Sequence, residues 1–234
     1  MEKIEKVFYI NLERRSDRKT HFLQSCLLDA QIPTNKIERF EALDGKTYNP
    51  TEEEQKMFLN CDFLNKPFYN NIVCNQLGHY YILKKIIENN YKYAIICQDD
   101  VYFRKDFQIY IADVINNLPS DAEIVNIGLH SYALYQHFVP WDLSGSSNDD
   151  YVKIGKAKMN EYVCKFKNGV NPCSLAYIVT LQGAINLVEY FDKNGFKRAT
   201  DWNFNDYLSS KDIFYGSLPV LCTGNAELTS DIFT

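Results

Sequence analysis

The stretch "YKYAIICQDDVYF" (residues 91–103) decides how the chain is read. "YAIIC" is a continuous apolar run rather than an alternating one, the pattern of a strand covered on both faces, as in parallel sheets. It ends abruptly in Gln98, Asp99 and Asp100. Adjacent carboxylates repel, and a buried one is costly unless it is paired or holds a metal. In an extended strand Gln98 and Asp100 share one side and Asp99 opposes them. Asp100 could therefore hold a hard divalent cation, which takes one or two protein carboxylates plus substrate phosphates, while Asp99 accepts hydrogen bonds from a sugar hydroxyl. The alternative is a pair of solvated loop acids capping the next helix.

Working outward, "KVFYINL" (6–12) is a first strand, followed by the charged "ERRSDRK". Ser16 is the expected cap of a helix over 17–28, with Phe22, Leu23, Cys26 and Leu27 at helical spacing. "IERFEAL" (37–43) is a second strand stopped by the Asp44-Gly45 turn signal. Residues 46–72 are polar and aromatic, with a short helix starting at Thr51. From Asn75 the period is helical, with Leu77, Tyr80, Tyr81, Lys84 and Ile87 along one side and Leu83 and Ile86 widening the stripe, until Asn89-Asn90. After the acidic turn come a helix over about 105–117 and a strand "AEIVNIGL" (122–129). This alternation implies parallel βαβ units, whose ligands bind at the carboxyl ends of strands. Residues 130–172 are irregular and read as a lid or binding loop. "SLAYIVT" (174–180) restores a strand, Thr180 caps the next helix, and Thr200 or Asp201 caps "WNFNDYLSS". The tail holds one strand and an extended end.

Composition narrows the function. The 234 residues are 46% hydrophobic and 15% aromatic, enough for a sizeable core. With 24% charged residues and a net charge of -5, the chain lacks the basic footprint of a nucleic-acid binder. Seven scattered cysteines without a CxxC pair read as reduced thiols in a cytosol-like compartment. The first residues carry no signal-peptide core, and no run approaches a membrane span. A soluble, cytoplasmic protein is expected. Arg14, Arg15 and Arg18 follow the first strand near a helix start, where they suit bidentate phosphate contacts. The other reading is a solvated helix face offset by Asp17. No Gly-rich loop marks a dinucleotide fingerprint or P-loop, and no GxSxG elbow supports a serine hydrolase. His79 reads as a satisfied, partly buried core histidine, and His130 and His137 lie without ligand spacing in the irregular region.

Several stretches together resemble glycosyltransferase family 25, which includes lipooligosaccharide and procollagen galactosyltransferases. "FYINLERRSDRKTHF" (8–22) is similar to that family's opening, and "FEALDG" (40–45) to its Ala-x-Asp-Gly segment. "VCNQLGHYYIL" (73–83) resembles the Cys-x-x-Ser-His helix, with Gly78 where Ser is usual. "YAIICQDDVYF" (93–103) resembles the strand running into Glu-Asp-Asp, with Gln98 in place of Glu. "SLAYIVTLQGAINLV" (174–188), "ATDWNFNDYL" (199–208) and the late "SDI" (230–232) follow in order.

The resemblance implies an α/β, GT-A-type fold: a mostly parallel Rossmann-like sheet flanked by helices, in a single domain over 1–234. Within it, 1–129 would be the nucleotide-sugar half, 130–172 the lid and acceptor region, and 173–234 the acceptor and C-terminal part. It implies a UDP-hexose donor, a divalent cation (Mn2+, or Mg2+), a glycan or collagen-like protein acceptor, and inversion by a single displacement. Asp100 would carry the metal, with Asp231 as a late ligand compensating for the neutral Gln98. Asn11, Leu12, Arg14, Arg18, Asp44 and Asp99 would hold the UDP-sugar, and Asp201 would be the general base. Trp141 and tyrosines of the lid would stack on sugars. Two other readings stay open: a nucleotide-sugar or glycan-binding protein without turnover, motivated by Gln98, and a sugar nucleotidyltransferase.

Overall fold

A computed structural model of the chain describes residues 1–129, 156–166, 173–225, 228, 230 and 231. The elements are β1 (Lys6–Asn11), α1 (Ser16–Gln24), β2 (Ile37–Glu41), α2 (Glu52–Lys56), α3 (Tyr69–Glu88), β3 (Tyr93–Gln98), β4 (Val101–Phe103), α4 (Phe107–Asn116), β5 (Ile124–Asn126), β6 (Gly128–Leu129), β7 (Lys156–Lys158), β8 (Val163–Phe166), β9 (Ala176–Thr180), α5 (Leu181–Asn194), α6 (Thr200–Ser210), β10 (Tyr215–Ser217) and β11 (Cys222–Gly224).

One sheet runs in the order β2-β1-β3-β9-β5-β10-β8-β7, and a small one is β4-β11-β6. In the main sheet β1 is parallel to β2 and β3, and β5 is parallel to β10. β9 lies antiparallel between β3 and β5, and β8 antiparallel between β10 and β7. All other strands of that sheet therefore point one way, giving the mostly parallel, helix-flanked, single-domain α/β architecture expected of a GT-A-type fold.

Alternation along β1 shows why its residues and those of β3 are apolar on both sides. Tyr9 stacks on Phe22 of α1 with ring centroids 4.4 Å apart. Its neighbour Ile10 faces α3 instead, where it is a nearest neighbour of Gly78. In β3, Ala94, Ile95, Ile96 and Cys97 are all fully buried, each large apolar side chain contributing about 2 kcal/mol on leaving water. Gly183, in the first turn of α5, has Glu123 O 2.3 Å from where a Cβ would stand, so only glycine lets that helix sit on the sheet.

Several expectations need correction. Helix α3 begins at Tyr69, earlier than the periodic run suggested, and Lys84 is exposed while Ile82, Leu83 and Ile86 are buried. Ser16 is the first helical residue rather than a cap; Arg15 occupies that position after a turn closed by its N–H to Leu12 O at 2.9 Å. The helix does not run on to Leu28 as an α-helix: Ser25–Asp29 widen into a π turn. Thr200 likewise is the first residue of α6, with Ala199 ahead of it making no side-chain cap. The segment "AEIVNIGL" is two strands in two sheets. Ile127 between them donates to Ala176 O and accepts from Leu221 and Cys222 N–H, which redirects the chain. The tail supplies two strands, β10 and β11, rather than one. Within the stretch expected to be irregular, β7 and β8 pair as a hairpin at the sheet edge; His130, His137, Trp141 and most of the expected lid lie outside the described residues. All seven cysteines are free thiols. Among the described residues no helix is long and apolar enough to cross a membrane.

Candidate active site

The carboxyl ends of β1 and β3 lie side by side, with Ile10 in register with Gln98. Asn11, the last residue of β1, is thereby placed against the acidic turn that follows β3. Its Nδ2 donates to Asp99 Oδ2 at 2.7 Å and to Arg15 O at 3.0 Å, while its Oδ1 accepts from Arg39 Nε at 3.0 Å. Arg18, reaching in from α1, donates through Nη1 to Asp99 Oδ1 at 2.7 Å. Asp99 is 5% and Arg18 7% exposed, so this is a buried, charge-assisted pair. Arg18 Nη1 also lies 3.6 Å from Asp100 Oδ2. Asp99 thus turns toward the β1–α1 loop and Asp100 toward a cleft, the division that strand alternation predicts.

A second ion cluster joins three distant segments. Arg14 donates through Nε to Asp44 Oδ2 at 2.7 Å and through Nη1 to Asp231 Oδ1 at 2.6 Å. Arg15 Nη1 takes the other Asp231 oxygen, and Asn71 Nδ2 donates to the Asp231 carbonyl at 3.2 Å. Partial burial pushes the Asp231 and Asp44 carboxyls up, but the guanidinium bonds outweigh it and hold both below the ordinary carboxylate value. Arg15 also grips Asp17, whose pKa falls to about 2 through that bond. Leu12 contributes its carbonyl to the turn that presents these arginines.

Between the end of β3, the start of α3 and the start of α6 lies a cleft of about 390 Å³. Gln98 and Asp100 line it from the sheet, Ser174 and Leu175 from the entry to β9, Ile72 and Asn75 from α3, and Thr200, Asp201 and Trp202 from α6. Volumes of this order suit small-ligand sites. Asp201 Oδ1 accepts from Trp202 N at 3.0 Å, so one carboxylate oxygen is held by the helix start. Gln98 Nε2 is 3.5 Å from Ser174 Oγ.

The expected site residues therefore form three neighbouring groups: Asn11, Arg18 and Asp99 in a buried knot; Arg14, Asp44 and Asp231 in the ion cluster; and Asp100 with Asp201 on the cleft. Among the described residues no three His, Cys, Asp or Glu side chains gather as a metal cage. Asp99 and Asp231 are both bonded to arginine. The donor set fits a hard cation that Asp100 holds and a diphosphate completes, and does not fit one enclosed by protein alone. Residues that were not singled out as site residues are Asn71, Asn75, Ser174, Thr200 and Trp202. Asn71 and Asn75, spaced one turn apart on α3, were the one local signal. His79 is fully buried rather than partly. Its Nδ1 meets Tyr177 OH at 2.7 Å, its Nε2 has no partner among the described residues, and burial lowers its pKa to about 3, so it stays neutral.

Comparison with known proteins matches residues 4–201 to glycosyltransferase family 25 (LPS biosynthesis protein). Procollagen galactosyltransferase 2 of Homo sapiens is 27% identical over 135 residues, 53% of this chain and 20% of that protein. A glycosyltransferase 25 family member of Drosophila pseudoobscura pseudoobscura is 23% identical over 190 residues, 79% of this chain and 27% of that protein. The aligned regions thus span about a quarter or less of these relatives' length. A crystal structure of the galactosyltransferase LgtC with donor and acceptor sugar analogues is 10% identical with a TM-score of 0.42, covering 94% of this chain and 87% of that one.

Proposed function

The chain belongs to glycosyltransferase family 25, and on that premise we propose that it moves a hexose from a UDP-sugar to a hydroxyl of a glycan or of a hydroxylysine-type side chain, with inversion. The observation that carries this reading is the presence of Asp100 and Asp201 on one cleft, with Arg18 behind the acidic turn. The human relative, a procollagen galactosyltransferase, favours galactose as the hexose; glucose is the alternative.

In a single displacement the acceptor oxygen attacks the anomeric carbon as the bond from that carbon to the diphosphate oxygen breaks. The hydroxyl proton passes to the Asp201 carboxylate, and UDP leaves with the bonding electrons. A base so placed contributes about 10² to 10⁴ in rate. Arg18 and Arg14 offer guanidinium charge to the growing anion, and a well-placed donor in a dry site is worth about 3 kcal/mol. Asn11, Leu12, Asp44 and Asp99 hold the β1–α1 loop and its arginines in position for the nucleotide. A divalent cation, Mn2+ or Mg2+, bound at Asp100 would supply Lewis-acid charge and orient the diphosphate. Asp231 would serve as a second ligand only on giving up its arginine partners.

Release of UDP from UDP-galactose and UDP-glucose, with Mn2+ and with EDTA, tests the reading in wild type, Asp100→Ala and Asp201→Asn. The expected result is metal-dependent release from one hexose donor, abolished in Asp100→Ala and reduced about 10² to 10⁴-fold in Asp201→Asn. Binding of UDP without turnover of any donor, with glycan and hydroxylysine acceptors present, would establish a non-catalytic binding protein instead. Pyrophosphate released from UTP and a sugar phosphate would establish a nucleotidyltransferase.

A further inference from the structure

A second wall of the cleft comes from the starts of α3 and α6, and its chemistry differs from that of the acidic turn. Thr200 donates its hydroxyl to Asn75 Oδ1 at 2.8 Å, which satisfies the amide oxygen at the helix junction and leaves the amide NH2 as a donor on the cleft. Trp202 lines the same cleft. The Arg198 guanidinium stacks over its ring, 4.2 Å from the centroid. Arg198 is not part of the cleft wall and is anchored by Asp206 at 3.3 Å, so it backs the indole from outside. That leaves the opposite ring face, rather than the one covered by Arg198, for a ligand on the cleft. Beside it stands the Asp201 carboxylate, an acceptor.

A flat aromatic face flanked by an N–H donor and a carboxylate acceptor matches a pyranose, which has one C–H-rich face and a rim of hydroxyls. The electron-rich indole face attracts those C–H groups. The same face is a poor seat for the ammonium of a hydroxylysine, because Arg198 already draws on the ring's charge from behind and a second cation would meet repulsion through it.

We infer that Trp202 and Asn75 form the acceptor subsite and that it takes a neutral sugar ring. The ring stacks on the indole, a hydroxyl accepts from Asn75 Nδ2, and a neighbouring hydroxyl is presented to Asp201. The acceptor is therefore a glycan terminus and not an unmodified hydroxylysine. This rests on the transferase reading for the reaction, whereas binding of the sugar is measurable without turnover.

The test uses saturation-transfer NMR on the full chain, with UDP present and absent, and with methyl β-galactoside, methyl β-glucoside, lactose and hydroxylysine amide as probes. At least one saccharide should bind and hydroxylysine amide should not. Trp202→Leu should weaken that saccharide about tenfold, Trp202→Phe should keep most of the affinity, and UDP binding should persist in both as evidence of folding. In transfer assays the same loss should fall on acceptor KM more than on kcat. If no saccharide binds, or if Trp202→Leu changes neither binding nor acceptor KM, the inference is overturned, and turnover of a UDP-hexose in that event leaves the transferase reading standing. Saccharide bound through Trp202 without use of any UDP-hexose would support the subsite and sink the transferase.

Discussion

The Asp99 carboxylate sits between Asn11 and Arg18 with 5% of its surface exposed, whereas the next residue, Asp100, lines the cleft. Neutralising the first leaves a guanidinium buried beside a group that no longer balances it, an error that costs about 3 kcal/mol or more. Asp99→Asn should therefore lower the urea midpoint sharply, while Asp100→Asn should stay within about 1 kcal/mol of wild type. Equal losses in the two variants would contradict this division of labour. A second residue-scale prediction concerns Gly78, where the family pattern has Ser. A Cβ there would meet Ile10 and Phe40 at 3.7 Å, ordinary contact distance. Glycine inside a helix costs about 1 kcal/mol relative to alanine. Gly78→Ala should raise stability by about 0.5–1 kcal/mol in the same melts, and a loss would mean that α3 must approach the sheet more closely than these distances imply.

Among the elements, α5 starts where the sequence predicts, with Thr180 Oγ1 accepting from Gly183 N at 2.9 Å, and α2 likewise starts after Thr51. Thr180→Ala should cost about 1 kcal/mol, and Thr180→Ser almost nothing, by thermal or urea unfolding. β1, β3, α4 and α5 were legible for the same reason, since their boundaries are set by residues inside or next to them. The caps proposed at Ser16 and Thr200 failed because both residues lie one position inside their helices; the Thr200 hydroxyl bonds Asn75 in a different helix. The split between β5 and β6 was illegible because Ile127 is redirected by partners at 176, 221 and 222. In the site, Asn11, Arg18, Asp99 and Asp100 could be picked out by position, but that Asn11 and Arg18 are both held by Asp99 follows only from adjacent strand ends. Trp202 and Asn75 carry no spacing that points to each other. The cluster of Arg14, Arg15, Asp44 and Asp231 gives this scale its pH dependence. Both carboxyls titrate below their ordinary 3.8 in the folded protein, so their stabilisation is complete above that value and is lost as pH falls through the depressed pKa values. Hydrogen exchange around Asp231 should be slow at pH 7 and, corrected for intrinsic rate, markedly less protected at about pH 3. Equal protection at both pH values would show that the tail is held by something other than these ion pairs.

At the scale of the molecule, the two ends of the chain are interleaved. β9 enters from the second half and supplies the strand between β3 and β5, with Tyr93 facing Thr180 in register and Asn126 facing Tyr177. Among the described residues β5 pairs only with β9 and β10, both of which come later. A fragment ending at residue 129 should accordingly show no cooperative urea transition by circular dichroism; a sharp one would mean that the first three parallel strands suffice alone. During synthesis the apolar flanks of β3 and β5 leave the ribosome long before the strand that separates them, and the nascent chain has to keep both edges from pairing with anything else meanwhile. Closing the sheet centre across so many residues makes for high contact order and slow folding, and during that wait the exposed edges invite aggregation. The same insertion that unites the acidic turn with the β9 entry therefore leaves two sheet edges open until the second half of the chain has been made.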